Sequence, residues 1–104
     1  PVVSSAASDV YKRQEDKSLL EQYLPEIKKA KIVRLEGHCD ERGTREYNLA
    51  LGERRALEVR DFLVVKGVSG KKIRVVSFGE EKPLKSASNE KAWAENRRVE
   101  ISLY

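Results

Sequence analysis

The chain has 104 residues, of which 39% are hydrophobic and 37% charged, and its formal net charge at pH 7 is +4. This length fits one domain with a single core, and the regular spacing of Val, Ile, Leu and Phe excludes a disordered composition. No apolar run approaches the roughly 20 residues that cross a bilayer. Lys and Arg alternate with Asp and Glu along the chain, which favours a solvated surface over a nucleic-acid interface. We therefore expect no nucleic-acid partner.

The first residues differ from the rest of the chain. Residues 1–14, PVVSSAASDVYKRQ, are small and polar and show no sustained period. This composition predicts a disordered or non-native tail, and the stretch resembles translated adapter sequence. The patterned domain is predicted to cover residues 15–104. Its lone cysteine, Cys39, cannot form a disulfide within the chain.

The first predicted helix begins near Asp16, with Asp16 or Ser18 as its cap. Its apolar residues recur at three- and four-residue steps, as in an amphipathic helix: Leu19, Leu20, Tyr23, Leu24 and Ile27. Pro25 should kink or break this helix unless it opens a new first turn. Two short helices are therefore an open alternative.

The remaining predicted elements alternate between strand and helix. They are a strand over Lys31–His38, a helix over Arg45–Lys66 that ends at Gly67, a strand over Ile73–Gly79, a short helix from Ser88 or Asn89 to Glu95, and a terminal strand from Val99. This order predicts an α/β (α+β) two-layer sandwich, in which helices pack on one face of a mixed sheet.

The long helix carries two separate stripes. One stripe consists of small and apolar residues at core spacing: Gly52, Ala56, Val59 and Leu63. The other consists of Asn48, Leu51 and Arg55, spaced i, i+3 and i+7. At about 100° per residue these three share a line roughly 90° from the core stripe, so they are predicted to flank the core.

Asp40 follows the end of the first predicted strand and is expected to lie beside this second stripe. Its carboxylate can accept hydrogen bonds from an ammonium group, and the Arg55 guanidinium can hold a carboxylate with two parallel hydrogen bonds. The pair would suit a zwitterionic amino-acid head group. The alternative is that Asp40 and Arg55 pair with each other or with neighbours, and that Asp40 caps the following turn.

The residues around Asp40 do not favour catalysis. His38 and Cys39 are adjacent, and neighbouring strand residues point to opposite faces, so a Cys–His dyad is not expected. His, Cys and Asp in direct succession also lack the spacing that a metal site needs. We predict no catalytic residue, no cofactor and no metal ligand.

The segment from Glu36 to Val59 reads EGHxDERGTxEYNxxLGERRAxxV, with x for the other positions. This pattern resembles the OmpA-like family and, within it, the Pal lipoproteins. The resemblance continues through VSFGEEKP, which ends at Pro83, and through NRRVEI, from Asn96 to Ile101. It covers the chain from about Lys31 to Tyr104, with the elements in the same order.

The resemblance implies non-catalytic binding of peptidoglycan through the meso-diaminopimelate residue of its peptide stem. Family positions that bind this residue correspond to Asp40 and Arg55, and further pocket positions correspond to Arg42, Asn48 and Leu51. The implied protein lies in the periplasm and tethers the outer membrane to the cell wall. Its membrane contact would run only through an anchor, and one of Arg97 and Arg98 would brace the fold through carboxylates.

Two alternative functions stay open, and the sequence differs from the family pattern at three points. The chain can instead be a protein-interaction module whose surface binds a partner of the Tol envelope complex. It can also be a wall anchor of the flagellar-stator type. Cys39 stands where the family usually has Ala or Thr, and the chain shows no lipid-attachment segment. The family's first strand cannot be found, so we expect it to be missing or replaced by residues 1–14, with one wall of the pocket affected.

Overall fold

A computed structural model of the chain describes residues 2–4 and 14–104, with side chains described from Ser18 onward. Its helices and strands follow the predicted order. They are β1 (Val2–Ser4), α1 (Gln14–Lys29), β2 (Val33–His38), α2 (Arg45–Val65), a 3-10 turn (Gly70–Lys72), β3 (Ile73–Gly79), α3 (Glu90–Asn96) and β4 (Arg98–Leu103). The predicted α+β architecture is confirmed.

The described strands form one mixed sheet in the order β1-β4-β2-β3. β2 and β3 are parallel, joined by the crossover through α2, whereas β4 runs antiparallel to both β2 and β1. The register between β2 and β4 places Leu35 opposite Ile101, and Glu36 opposite Glu100. Alternate residues of each strand therefore reach opposite faces of the sheet.

The core lies between one face of the sheet and the helices α1 and α2. Val33 and Leu35 of β2 are fully buried, while the residues between and after them, Arg34 and Glu36, are partly exposed. One apolar cluster joins both helices to the sheet: Leu20, Ile27, Val33, Leu35, Ala56, Val59, Leu63, Val68, Ile73, Val99 and Ile101. Ala56, Val59 and Leu63 of the core stripe predicted for the long helix belong to this cluster, and Gly52 of the same stripe is buried.

The ends of α2 are set by local chemistry. The Thr44 hydroxyl accepts a hydrogen bond from the Tyr47 amide at 3.1 Å, which satisfies one free donor of the first turn. At the other end Gly67 has a φ of +99°, a left-handed conformation that glycine adopts without strain. These two signals confirm the predicted start and end of this helix to within a residue.

A close backbone contact fixes α2 against the sheet beside the candidate site. Gly37 of β2 packs directly on Gly52 of α2, and a Cβ added at Gly37 would overlap the Gly52 carbonyl group. A Cβ added at Gly52 would in turn meet the Ser77 hydroxyl of β3 and lie 2.9 Å from the Gly37 carbonyl oxygen. Glycine at both positions lets the helix approach the strand closely, and this approach brings the pocket residues of α2 near the end of β2.

The start of the chain differs in detail from the sequence prediction. Val2–Ser4 forms a short strand that pairs antiparallel with β4, so these three residues are not disordered, and they stand where the first strand was expected to be missing or replaced. Gln14 belongs to α1, and residues 1 and 5–13 lie outside the described part of the chain. The two-helix alternative is wrong, because α1 continues through Pro25.

None of the helices in residues 14–104 combines the length and the apolar character needed to cross a membrane.

Candidate functional site

A cavity of about 340 Å³ opens where β2 ends and α2 begins. The turn after β2, the first turns of α2 and the start of β4 all contribute to it. The five predicted site residues, Asp40, Arg42, Asn48, Leu51 and Arg55, all line this cavity. Four further residues that the sequence did not assign to the site line it with them: Cys39, Gly43, Tyr47 and Arg97. The structure therefore brings Asp40 and the polar stripe of the long helix together.

Asp40 is the acceptor at the centre of this cavity, with only 7% of its surface exposed. Arg42 donates to it three times, from its backbone amide at 3.0 Å, from Nε at 3.1 Å and from Nη2 at 2.9 Å. Arg97 donates from Nη1 to Oδ2 at 2.9 Å. The carboxylate is thus clamped between two guanidinium groups, and it makes the contact with the following turn that the alternative interpretation described.

These contacts determine the ionisation of Asp40. Burial alone would raise the pKa of this carboxyl, but hydrogen bonds from the Arg42 and Arg97 side chains and from the Arg42 amide outweigh it and lower the pKa to about 2. Asp40 is therefore a carboxylate at neutral pH and can accept hydrogen bonds from a cationic ligand.

Arg55 lies on the helix side of the cavity and is 4% exposed. Its Nη1 donates to the carbonyl oxygen of His38 at 3.1 Å and contacts Cys39 Sγ at 3.3 Å. Its Nε is buried and has no hydrogen-bond partner among the described residues. Burial lowers the pKa of this guanidinium, yet an arginine remains protonated in a protein. Arg55 thus carries a buried positive charge whose donors are not fully used, and it does not pair with Asp40 directly.

Asn48 and Leu51 complete the helix side of the cavity. Asn48 is 2% exposed and donates from Nδ2 to Glu80 Oε1 at 3.0 Å, which ties α2 to the loop after β3. The Cys39 thiol donates to the Asn48 carbonyl oxygen at 3.2 Å. Leu51 is half-buried and adds apolar surface. The polar stripe therefore flanks the apolar core, as predicted, although Asn48 and Arg55 are more deeply buried than that position alone requires.

Arg97 is the site residue that sequence reasoning did not place. Its Nη1 binds Asp40 Oδ2 and its Nη2 binds Glu90 Oε1, both at 2.9 Å, so it braces the fold through carboxylates as expected of one of the two arginines. Arg98 faces elsewhere and binds Glu100 Oε2 from Nε at 2.6 Å. The signal available in the sequence was the Arg-Arg pair at a strand start, but its alternation does not say which arginine reaches the cavity.

The outer side of the cavity is formed by Arg42, whose side chain is 51% exposed. Its guanidinium lies over the ring of Trp93, 4.4 Å from the ring centre, and the Trp93 indole donates to Glu41 Oε1 at 2.9 Å. A cation on an aromatic face contributes little at such exposed sites. Arg42 is more accessible to solvent than Arg55 and is therefore the side chain best placed to move when a ligand enters.

His38 and Cys39 do not form a reactive pair. The His38 ring stacks on Phe78 with ring centres 5.6 Å apart, whereas the Cys39 thiol contacts Asn48 and Arg55 of α2. Burial also raises the pKa of the Cys39 thiol, against the opposing effect of Arg55, which favours the unreactive thiol over the thiolate. The cavity lining thus provides guanidinium groups that can bind an anionic group and a carboxylate that can bind a cationic group.

The sequence and fold are similar to those of known proteins. The chain is 58% identical over 69 residues to the peptidoglycan-associated lipoprotein of Pseudomonas aeruginosa, covering 66% of this chain and 41% of that protein. The crystal structure of the peptidoglycan-associated lipoprotein from Burkholderia pseudomallei superposes with a TM-score of 0.86 at 36% identity, covering 96% of this chain and 86% of that one. The cell wall anchor of the T6SS from Pseudomonas aeruginosa superposes with a TM-score of 0.75 at 30% identity, covering 97% and 73%.

The chain thus spans less than half the length of the curated Pseudomonas relative. The OmpA family profile matches residues 8–97, which include the cavity from Asp40 to Arg97. On this match the chain belongs to the OmpA family.

Proposed function

We propose that this chain binds peptidoglycan without catalysis, by holding the meso-diaminopimelate residue of the peptide stem in the cavity between Asp40 and Arg55. The observation that carries the proposal is that a buried carboxylate and a buried guanidinium line the same cavity without a direct bond between them. The names of two similar proteins, a peptidoglycan-associated lipoprotein and a cell wall anchor, support a wall ligand.

The ligand's side-chain end carries one ammonium and one carboxylate group. Asp40 would accept hydrogen bonds from the ammonium, because its low pKa keeps it ionised. Arg55 would donate to the carboxylate through nitrogen atoms that its bonds to His38 and Cys39 leave unused. Asn48 and Leu51 would form the helix wall, and Arg42 would close the cavity from outside.

The free cavity holds Asp40 through Arg42 and Arg97, so a ligand ammonium must share or replace part of this clamp. Arg97 is buried and bound to Glu90 as well, whereas Arg42 is half-exposed. We infer that Arg42 turns outward and offers its guanidinium to the ligand, while Arg97 keeps the carboxylate in place. The exchange costs little, because the Arg42 side chain already reaches solvent.

The expected affinity is modest. Hydrogen bonds to charged groups contribute about 1.5–3 kcal/mol each, which suits reversible attachment to one peptide stem. Many stems along one wall polymer raise the effective hold by multivalency. In the full-length protein the chain would face the periplasm and tether the outer membrane to the wall.

Co-sedimentation with purified peptidoglycan sacculi tests the proposal. The parent chain should sediment with sacculi, and Arg55→Ala should remain in the supernatant while keeping its circular dichroism spectrum. Arg54→Ala is the matched control, because Arg54 is the preceding arginine of α2 and is exposed. Free meso-diaminopimelate should compete with sacculi for the parent chain.

The alternative partner is a protein of the Tol system bound to the same surface. Sedimentation that is unchanged by Arg55→Ala and by free diaminopimelate would reject the proposed pocket. Capture of a purified Tol-system protein by the parent chain would then favour the alternative.

A further inference from the structure

A second cluster of titratable side chains lies on the sheet face opposite the apolar core. It consists of Glu36 and His38 of β2 and Glu100 of β4, and one possible ligand atom from each lies within 4.8 Å of the other two. Glu36 and Glu100 are directly opposite each other in the register of the two strands. Two carboxylates in this arrangement repel each other, and the guanidinium groups of Arg34 and Arg98 beside them offset part of this repulsion.

His38 is the chain's one histidine, and its side chain is almost fully buried, with 2% exposed. Neither ring nitrogen has a hydrogen-bond partner among the described residues. Buried polar groups in proteins are ordinarily hydrogen-bonded, so these two unsatisfied ring nitrogens point to a ligand at this position. The ring is held from its side by Phe78, which stacks on it at an interplanar angle of 22°.

The imidazole is aimed at the two carboxylates. Its Nε2 lies 3.5 Å from Glu36 Oε1 and 3.9 Å from Glu100 Oε2, which is longer than a protein hydrogen bond. Tetrahedral zinc with bonds of about 2.0–2.2 Å separates its ligand atoms by about 3.4 Å. The gap among the three groups is therefore close to the width that one metal ion fills.

The surrounding charges position the carboxylates. Arg98 Nε binds Glu100 Oε2 at 2.6 Å, and Arg34 Nε lies 3.3 Å from Glu36 Oε2. Groups that ligate a metal are commonly held by such outer partners, which orient them and tune their affinity. The two guanidinium charges also offset the two carboxylate charges, so we expect a site of moderate affinity.

We propose that Glu36, His38 and Glu100 form a zinc site that links β2 to β4 on the face of the sheet remote from the core. One imidazole nitrogen and two carboxylate oxygens are a ligand set that zinc accepts, with water as the fourth ligand. The side chains of Glu36 and Glu100 are 19% and 33% exposed, which leaves a path for the ion and its water.

The site also relates to the wall pocket through one residue. The carbonyl oxygen of His38 accepts the hydrogen bond from Arg55 Nη1, while its ring points to the carboxylate cluster. Zinc on the ring would therefore restrain the strand end that positions Arg55. The zinc proposal does not depend on the identity of the wall ligand, because its ligands lie outside the pocket lining.

Titration of the tag-free chain with Zn²⁺ against a chromophoric chelator, near neutral pH, tests the site. We expect one equivalent to bind saturably and to raise the melting temperature, since a ligand that binds the folded state stabilises it. Co²⁺ in place of Zn²⁺ should give the visible bands of a four- or five-coordinate ion. His38→Gln should abolish saturable binding, and Glu36→Gln and Glu100→Gln should each weaken it by at least about tenfold.

Two variants separate the site from other ligands. Cys39→Ser removes the neighbouring thiol and should bind Zn²⁺ as the parent does, and Glu53→Gln removes an exposed carboxylate of α2 without effect. If His38→Gln fails to fold, Glu36→Gln decides the question, because Glu36 is partly exposed and the change preserves its shape. The proposal is overturned if the folded parent shows no saturable binding, or if Glu36→Gln binds as tightly as the parent.

Discussion

Arg97 donates from Nη1 to Asp40 Oδ2 at 2.9 Å and so joins the junction of α3 and β4 to the turn after β2, across 57 residues of sequence. Both side chains are more than nine-tenths buried, with 8% and 9% exposed. The same guanidinium binds Glu90 of α3. This contact explains why the carboxylate that we assign to ligand binding stands in one orientation before any ligand arrives.

Arg97→Ala should therefore act through Asp40. We expect the pKa of Asp40 to rise from about 2 towards its ordinary range, because one of the hydrogen bonds that lower it is lost. The free energy of unfolding should fall by about 2–3 kcal/mol, as for loss of a buried charge-assisted hydrogen bond. Carboxyl-detected NMR titration and urea unfolding measure the two effects.

Arg74→Ala is the control for that change. Arg74 is exposed and donates to the carbonyl oxygens of Lys71 and Ile73, far from the cavity. It should leave the titration of Asp40 unchanged. An unaltered Asp40 titration in Arg97→Ala would show that the contact does not set the ionisation of the carboxylate.

Asp40 also makes stability depend on pH. Its folded-state pKa lies below the ordinary 3.8, so the ionised group stabilises the folded state above about pH 4, and this contribution is lost as pH falls towards 2. The shift corresponds to about 2 kcal/mol. The stability difference between the parent and Asp40→Asn, measured by urea unfolding, should shrink over this range. A difference that stays constant from pH 5 to pH 2 would contradict the assignment.

The packing of β2 on α2 predicts a contrast between glycines. Gly37→Ala would press a methyl group into the Gly52 carbonyl, a backbone atom that cannot turn aside, and should cost about 3 kcal/mol or more. Gly70→Ala should change stability by less than about 0.5 kcal/mol, because its Cβ would meet only Val64 Cγ2 at 3.7 Å. Equal urea midpoints for the two variants would mean that the close approach is absent in solution.

Cys39 should be chemically silent in the folded chain. It is 3% exposed, and burial raises the pKa of its thiol, so little thiolate is available to a disulfide reagent. We expect reaction with Ellman's reagent to follow unfolding as urea is added. A rapid, complete reaction without urea would show that the thiol is accessible to solvent, which would contradict its buried position in the cavity wall.

Much of this fold could be predicted because its apolar residues recur with clear helical or strand periodicity. The strand over Ile73–Gly79 has the same bounds in prediction and structure, and α2 differs by one residue at its end. The strand β1 escaped prediction, since Val2–Ser4 is too short to show a period and owes its conformation to pairing with β4. Local preference would also have allowed α1 to break at Pro25. The helix continues because Leu20 and Ile27, on either side of the proline, both pack in the core.

The site was predictable where its residues share one local element. Asn48, Leu51 and Arg55 follow from helical spacing, and Asp40 from its place after a strand. Arg97 could not be assigned, because its direction depends on how the end of α3 leads into β4. The cluster of Glu36 and Glu100 was invisible for a related reason, since it arises from the register between two strands that lie far apart in the chain.

The central claim is that Arg55 and Asp40 recognise the two charges of diaminopimelate. Calorimetric titration with two stem peptides, identical except that one carries meso-diaminopimelate and the other lysine, tests it most directly. The lysine peptide lacks only the distal carboxylate, so it should bind the parent about 10- to 100-fold more weakly, the loss expected for hydrogen bonds to a charged group. In Arg55→Ala the two peptides should bind equally and weakly. Equal affinity of the folded parent for both peptides would contradict the account.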